Sequence, residues 1–265
     1  MPEGDTVHLA ATRLQAALAG EVLTRTDFRV PLHATEDLAG RTIEGVVARG
    51  KHLLFRIEEG ITLHTHFKME GSWHLYKPGQ DWRGPDFQVR CVLETKPWVA
   101  VGFRLAIVEL LHSSAEDEVV GHLGPDVLGA DWDADEALSR LAADPARPIG
   151  EAIVDQRIMA GPGNVYRCEI CFLRGLHPDT AVGDVADLPA LIALTKKVME
   201  ANRSTGMQIT TGDARPGRMH WVYGRRNKPC RRCGTPIAKR SEGAGGAKVT
   251  YWCPNCQPSP LRSAG

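Results

Sequence analysis

Four cysteines near the C-terminus, Cys230-x2-Cys233-x19-Cys253-x2-Cys256, constrain this chain more than any other feature. Each Cys-x-x-Cys pair can bite one tetrahedral ion from a tight turn, and the 19 residues between the pairs fit a β-hairpin. The chain has seven cysteines, and Met1-Pro2-Glu3-Gly4-Asp5 has neither the basic nor the apolar region of a signal peptide. Two matched pairs in that setting point to one structural zinc ion rather than to disulfides. Four thiolates fill the tetrahedron and leave no place for a catalytic water, so the metal builds a hairpin and does no chemistry. Cys168 and Cys171 share the spacing but fall inside a predicted helix, on a face with Val165 and Phe172, and read as packing.

At 265 residues the chain is long enough for two domains with separate cores. No apolar run approaches the roughly 20 residues that span a bilayer, so a cytoplasmic protein is expected. The formal net charge of zero hides an asymmetry. Residues 1–200 carry 20 Lys and Arg against 30 Asp and Glu, whereas 201–265 carry 12 against only Asp213 and Glu242. The C-terminal segment is suited to a polyanion, although a solvated basic tail would look the same.

Periodicity divides the chain. Residues 6–19 predict an amphipathic helix with Val7, Ala11, Leu14 and Leu18 on one stripe and Gly20 at its end. Strands follow. Val46-Val47-Ala48 and Leu53-Leu54-Phe55 flank Arg49-Gly50-Lys51, residues 61–67 and 87–94 alternate apolar with polar, and 98–111 continue in that style. Short strands at this spacing imply a sandwich or barrel. The polar stretch Ser113 to Gly124 reads as a linker, and helices are expected over 133–143, 148–160, 164–173 and 187–202. Residues 203–228 read as an irregular loop, and Gln257 to Gly265 are expected to be disordered.

Two further features carry chemistry. In Gly161-Pro162-Gly163-Asn164, proline breaks one helix and Asn164 is a natural N-cap for the next, leaving the first backbone N–H groups free for phosphate. A helix–turn–helix without a ligand reads equally well locally. At the other end, Pro2 exposes a secondary amine once Met1 is removed. Such an amine condenses with an aldehyde-level carbon to an electron-withdrawing iminium, and a helix start nearby disfavours its protonated form. Glu3 can act as a general acid. Taken alone, Pro2 is a helix start and Glu3 a first-turn acid.

Met-Pro-Glu-Gly at the start, Arg49-Gly50-Lys51, Gly124-Pro125-Asp126-Val127-Leu128, Asp155-Gln156 before Gly161-Pro162-Gly163-Asn164, Val222-Tyr223-Gly224-Arg225 and the four cysteines occur in one order. Together, from residue 1 to about 257, they resemble the formamidopyrimidine-DNA glycosylase / endonuclease VIII family. The resemblance implies an α+β chain, with an N-terminal β-sandwich and N-terminal helix, then a helix–two-turn–helix domain with a β-hairpin zinc finger, and DNA in the cleft between. The implied boundaries are a catalytic domain over 1–115, a linker over 116–126, a DNA-binding helical domain over 127–225, the finger over 226–257 and a tail over 258–265. Pro2 would attack C1′ of the damaged nucleotide, Glu3 supply the proton for sugar-ring opening, and Lys51 sit near the phosphate and reacting sugar. Asn164 and the finger hairpin would grip the backbone, and Met69 would fill the gap left by the flipped base. The implied partner is damaged DNA, bound by a monomer, with no membrane.

Three departures stand out. Thr6 occupies a position where many relatives carry a second glutamate. The hairpin arginine is replaced by Lys248, a point charge in place of a fork, in a longer hairpin with Gly243-Ala244-Gly245-Gly246, so Arg240 is a competing candidate. Lys68 and Glu70 put charges around Met69. A short 203–221 segment favours the endonuclease VIII branch and oxidised pyrimidines, removed by a bifunctional glycosylase/lyase with β,δ-elimination. Met69 pulls toward the oxidised-purine (8-oxoguanine) enzymes. A non-enzymatic DNA-binding protein of the same fold, or a zinc-ribbon interaction module, is the competing class.

Overall fold

The apolar stripe Val7, Ala11, Leu14 and Leu18 is buried along α1 (Gly4–Leu18) in the computed structural model, which describes residues 2–242 and 248–260. The helix begins two residues earlier than expected, because buried Gly4 and Asp5 form its first turn behind an extended Glu3. It ends before Gly20, whose φ of +82° needs no side-chain strain in glycine.

Eight strands follow: β1 (Leu23–Phe28), β2 (Ile43–Arg49), β3 (His52–Ile57), β4 (Ile61–His66), β5 (Ser72–Tyr76), β6 (Val89–Thr95), β7 (Val99–Phe103) and β8 (Ile107–His112). They make two antiparallel four-stranded sheets, ordered β1-β6-β7-β5 and β2-β3-β4-β8. Leu53, Phe55, Ile57 and Leu63 of one sheet and Cys91, Leu93 and Ala100 of the other share a core with α1. This is the expected sandwich, α1 packing chiefly on β2.

The alternation expected from residue 87 begins later. Residues 86–88 form a 3-10 turn that leaves Phe87 76 % exposed, and a register shift between Val89 and Cys91 breaks the period. The linker stretch is also structured: a 3-10 turn at 113–115 leads into α2 (Glu116–Val120). Arg56 holds the Glu116 carboxylate at 3.1 and 2.8 Å and Thr62 donates to it at 2.7 Å, fixing α2 to β3 and β4.

The chain divides into two compact units at His122/Leu123. The second contains α3 (Ala134–Ala142), α4 (Ile149–Ala152), α5 (Asn164–Arg174) and α6 (Leu188–Asn202), then the hairpin β9 (Ala238–Glu242) and β10 (Lys248–Trp252). Asp133 and Asp187 cap α3 and α6 through their carboxylates. Ile149, Ile153, Tyr166, Ile170, Leu191 and Met199 form the helical core, and Phe172, Val222, Cys230, Ile237 and Cys253 a second one under the finger.

Two further expectations need correction. Only 149–152 of the segment 148–160 is α-helical. The following residues turn because the Gln156 side chain takes over backbone partners, donating to Val154 and Pro162 carbonyls and accepting from Gly161. Gln257, expected in a disordered tail, is fully buried; it accepts from the Cys253 amide at 2.9 Å and donates to the Leu176 carbonyl at 2.7 Å. Residues 261–265 of that tail lie outside the described residues, as do 243–247 of the hairpin. Among the described residues no helix is long and apolar enough to cross a membrane.

Candidate active site and zinc centre

Pro2, half-buried, is followed at the cap position of α1 by Glu3, which is 1 % exposed. Met1 lies outside the described residues. Lys51 stands in the turn between β2 and β3, where Gly50 takes φ +58°. Burial pushes the Lys51 ammonium down from its ordinary value, and the nearby Glu3 charge partly opposes this. Two of the three residues named for chemistry are thus electrostatic neighbours, and the third is covalently next to Glu3. Thr6 donates weakly to Asp5 at 3.4 Å, and Asp5 is itself a fully buried carboxylate in the first helical turn.

Met69 lies in the turn between β4 and β5 and is 63 % exposed. Lys68 before it adopts φ +50°, and Gly71 after it passes so close to Phe67 that a Cβ there would fall 2.7 Å from the backbone. An open groove of about 740 Å³ runs beside Met69, lined by Phe67, Lys68, Phe87, Arg90 and Arg104. Glu70, a source of repulsion toward phosphate when the sequence is read alone, is paired with Arg104 at 3.5 Å.

Asn164 is not the N-cap of α5. Gly163 holds that position, and Asn164 is the first helical residue. Its Nδ2 donates instead to the Val249 carbonyl on β10 at 2.8 Å, while its Oδ1 accepts from Arg167, which also donates to Thr250 Oγ1 at 2.8 Å. The helix start is thereby tied to the strand that begins with Lys248. The Lys248 backbone pairs with Glu242; its side chain lies outside the described residues. Gly161 (φ +115°) bends the chain into the helix, and Gln156 joins this turn to the Gly124 segment through Gly124 N–H at 2.8 Å.

The four finger cysteines bring their sulfurs within 4.8 Å of one another. A tetrahedral ion with Zn–S bonds of about 2.3 Å needs sulfurs about 3.8 Å apart. The separations are 3.9 Å for Cys230–Cys256 and 3.5 Å for both Cys233–Cys253 and Cys233–Cys256. Backbone N–H groups of Arg232 and Cys256 donate to Cys230 and Cys253 Sγ. This donor set fits a structural zinc ion and binds it with no open position. Cys168 and Cys171 are fully buried, but on different sides of α5, one under the finger and the other in the helical core. Burial holds their thiols up at about 11 and about 12.

Glu169 escaped sequence reasoning. Fully buried on α5, it accepts from the Trp221 amide at 2.7 Å, from the Val222 and Tyr223 amides at 2.8 Å, and from Thr210 Oγ1. One carboxylate therefore closes both ends of the irregular 210–223 segment. Nothing in the period of α5 marks that role. A row of histidines on β3 and β4 was also missed, though His52, His64 and His66 all fall at non-core positions of paired strands.

A thiolate finger stitched to a Gly-rich helix start defines a zinc-finger, helix–two-turn–helix protein, and comparison with known proteins agrees. Residues 1–106 match the formamidopyrimidine-DNA glycosylase N-terminal domain, 123–211 the H2TH domain of that glycosylase, and 227–258 the zinc finger found in FPG and IleRS. The chain belongs to the formamidopyrimidine-DNA glycosylase / endonuclease VIII family, an enzyme family with DNA glycosylase and AP lyase activity. It is 52 % identical to the "Probable endonuclease 8 2" of Streptomyces coelicolor, over 100 % of this chain and 97 % of that one. It is 47 % identical to the "DNA-(apurinic or apyrimidinic site) lyase Nei2" of Mycolicibacterium smegmatis, covering 97 % and 99 % of the two chains. The crystal structure of Lactococcus lactis Fpg with a benzyl-Fapy-dG DNA shares the fold, with a TM-score of 0.79 at 21 % identity, over 97 % of this chain and 100 % of that one.

Proposed function

We propose that this chain removes oxidised pyrimidines from damaged DNA and then nicks the strand, with Pro2 as nucleophile, Glu3 as proton donor and Lys51 beside the reacting sugar. The observation that carries this reading is that buried Glu3, immediately after Pro2, lies near enough to buried Lys51 for its charge to act on the ammonium. The Pro2 nitrogen attacks C1′ and the glycosidic bond breaks with its electrons going to the base. The Pro2 nitrogen gives up its N–H proton, Glu3 protonates the ring oxygen O4′, and the C1′–O4′ bond breaks as the nitrogen lone pair closes onto C1′, which opens the sugar and gives an iminium. The iminium draws electrons from C2′ after proton loss there, the 3′ phosphate leaves, and the persisting electron sink permits the second, δ-elimination. A Lys51 whose charge is destabilised by burial is poised to exchange protons near that sugar.

In this reading residues 1–115 are catalytic, and 127–225 with the finger at 226–257 bind DNA. Asn164 and Lys248 serve the backbone grip, since Asn164 is bonded to the strand that starts at Lys248. Met69, exposed on its turn, fills the flipped base's place. The similarity to a relative named endonuclease 8 supports the pyrimidine branch. A repair enzyme works where the DNA is, which places it in the cytoplasm, at the nucleoid in a bacterium.

Borohydride trapping on abasic-site DNA tests the chemistry: wild type should give a covalent adduct and Pro2→Gly much less, with DNA binding kept. Active protein that retains Met1, blocking the amine as an amide, would overturn the mechanism. Met69 is the observation favouring oxidised purines. Faster single-turnover release of 8-oxoguanine than of thymine glycol would move the chain to that branch.

A further inference from the structure

A hydrogen-bonded row of side chains crosses the face of the β2-β3-β4-β8 sheet that points away from the sandwich core. Glu109 Oε2 on β8 lies 3.0 Å from His64 Nδ1 on β4, and His64 Nε2 lies 2.8 Å from His52 Nδ1 on β3. Strand register sets this up, with His64 opposite Glu109 and His52 opposite His66. The His52 ring stacks on His64 at 5.1 Å and meets His66 edge-on at 4.8 Å, with His122 at 6.3 Å. His66 Nδ1 accepts the Lys68 backbone N–H at 2.9 Å.

The donor sense of the row follows from its end. A carboxylate only accepts, so His64 carries a proton on Nδ1; in the neutral ring a lone pair then stands on Nε2. That lone pair accepts from His52 Nδ1–H, leaving His52 Nε2 bare. His66, accepting at Nδ1, carries its proton on Nε2. Five titratable groups face His52 and His66 besides each other: His64, His122, Lys68, Lys51 and, at the end of the row, Glu109. Burial first, and then the neighbouring rings and lysines, hold His52 down at about 3 and His66 at about 4, so both are neutral at physiological pH.

One end of this row, and the His66 ring edge-on to it, reach the two turns that matter. His52 directly follows Lys51, and His66 holds the left-handed Lys68 that directly precedes Met69. We propose that Glu109, His64 and His52 are positioning residues, a tautomer relay that seats the Lys51 turn and the Met69 turn together for the reaction. This rests on the assignment of Lys51 and Met69 above. No residue of the relay needs to touch DNA: Glu109 fixes the proton on His64, and His64 fixes the proton on His52.

Imidazole nitrogen NMR on the full-length, zinc-loaded protein between about pH 5 and 8 reads the tautomers directly. Wild type should show His52 with a bare Nε2 and a protonated Nδ1. His64→Leu should leave His52 as a tautomer mixture and slow single-turnover cleavage of abasic-site DNA by about tenfold to a hundredfold. His64→Gln, with an amide oxygen able to accept near the Nε2 position, should restore the His52 tautomer and most of the rate. Glu109→Ala, at a half-exposed site that leaves the core alone, should scramble the His64 tautomer and slow cleavage in the same direction. A proton on His52 Nε2 in wild type, as a charged His64 would require, overturns the relay. So does a wild-type rate in both His64→Leu and Glu109→Ala. If wild type cleaves no abasic DNA while the spectra show the expected tautomers, the assignment of Lys51 fails and not the hydrogen-bond row.

Discussion

Arg240 on β9 grips the Asp179 carboxylate with both terminal guanidinium nitrogens, at 2.7 and 2.6 Å. The hydrogen bonds from Arg240 hold the Asp179 carboxyl below its usual range. A fork spent on an internal partner is a poor candidate for the phosphate grip that Lys248 leaves to a point charge. Arg240→Ala should therefore cost at most about 1 kcal/mol, since the pair is partly exposed, and leave the slope of log affinity against log salt unchanged. Lys248→Ala should reduce that slope by about one, and Lys248→Arg should match or exceed wild type. Salt titrations of DNA binding decide between them; a slope change in Arg240→Ala alone would reverse the assignment.

The finger depends on its ion for shape. Cys230 and Cys253 are both ligands of the cluster and members of the apolar seam with Phe172 and Val222. Structural zinc is worth roughly 10–16 kcal/mol of apparent binding energy in finger peptides at neutral pH. Cys253→Ser should release zinc, open that seam and cut DNA affinity while the sandwich keeps its own unfolding transition. Metal analysis alongside two-wavelength melting checks this. Active protein holding less than about half an equivalent of zinc would contradict it.

Glu169 makes a separable prediction. Glu169→Gln replaces one accepting oxygen with a donor facing backbone N–H groups, and each orphaned buried N–H costs about 1–3 kcal/mol. Stability should fall, and amide exchange at Trp221, Val222 and Tyr223 should accelerate more than exchange in α6. Uniform acceleration through the second unit would mean that the residue only supports the core.

Acid should destabilise the sandwich through its histidines. In the unfolded chain His52 titrates near the ordinary 6.5; folded, it is held at about 3 and His66 at about 4. Between these values the unfolded state binds more protons, so stability is complete above about pH 6.5 and declines as pH falls toward 4. Each such histidine steepens the decline by up to about 1.4 kcal/mol per pH unit. Replacing His52 by Gln should flatten the curve of melting temperature against pH over that window. An unchanged curve would show that His52 is already charged in the folded protein.

What was legible in the sequence was what short-range geometry encodes. The Cys-x-x-Cys pairs must turn tightly whatever the fold, and the stripe of α1 follows from 3.6-residue periodicity. The segment 148–160 shows the limit of periodicity, because one glutamine side chain, Gln156, outcompeted the helical hydrogen bonds. Everything that depends on register was decided only in three dimensions. Asn164 read as a cap and instead bonds to Val249, 85 residues away. Glu169, unmarked within its helix, holds both ends of a distant loop. His52, His64 and Glu109 are unrelated letters until β3, β4 and β8 pair. The physical reason is common to all three. A side chain's local sequence sets which way it leans from its own helix or strand, but its hydrogen-bond partner is set by how elements far apart in the chain come to lie side by side.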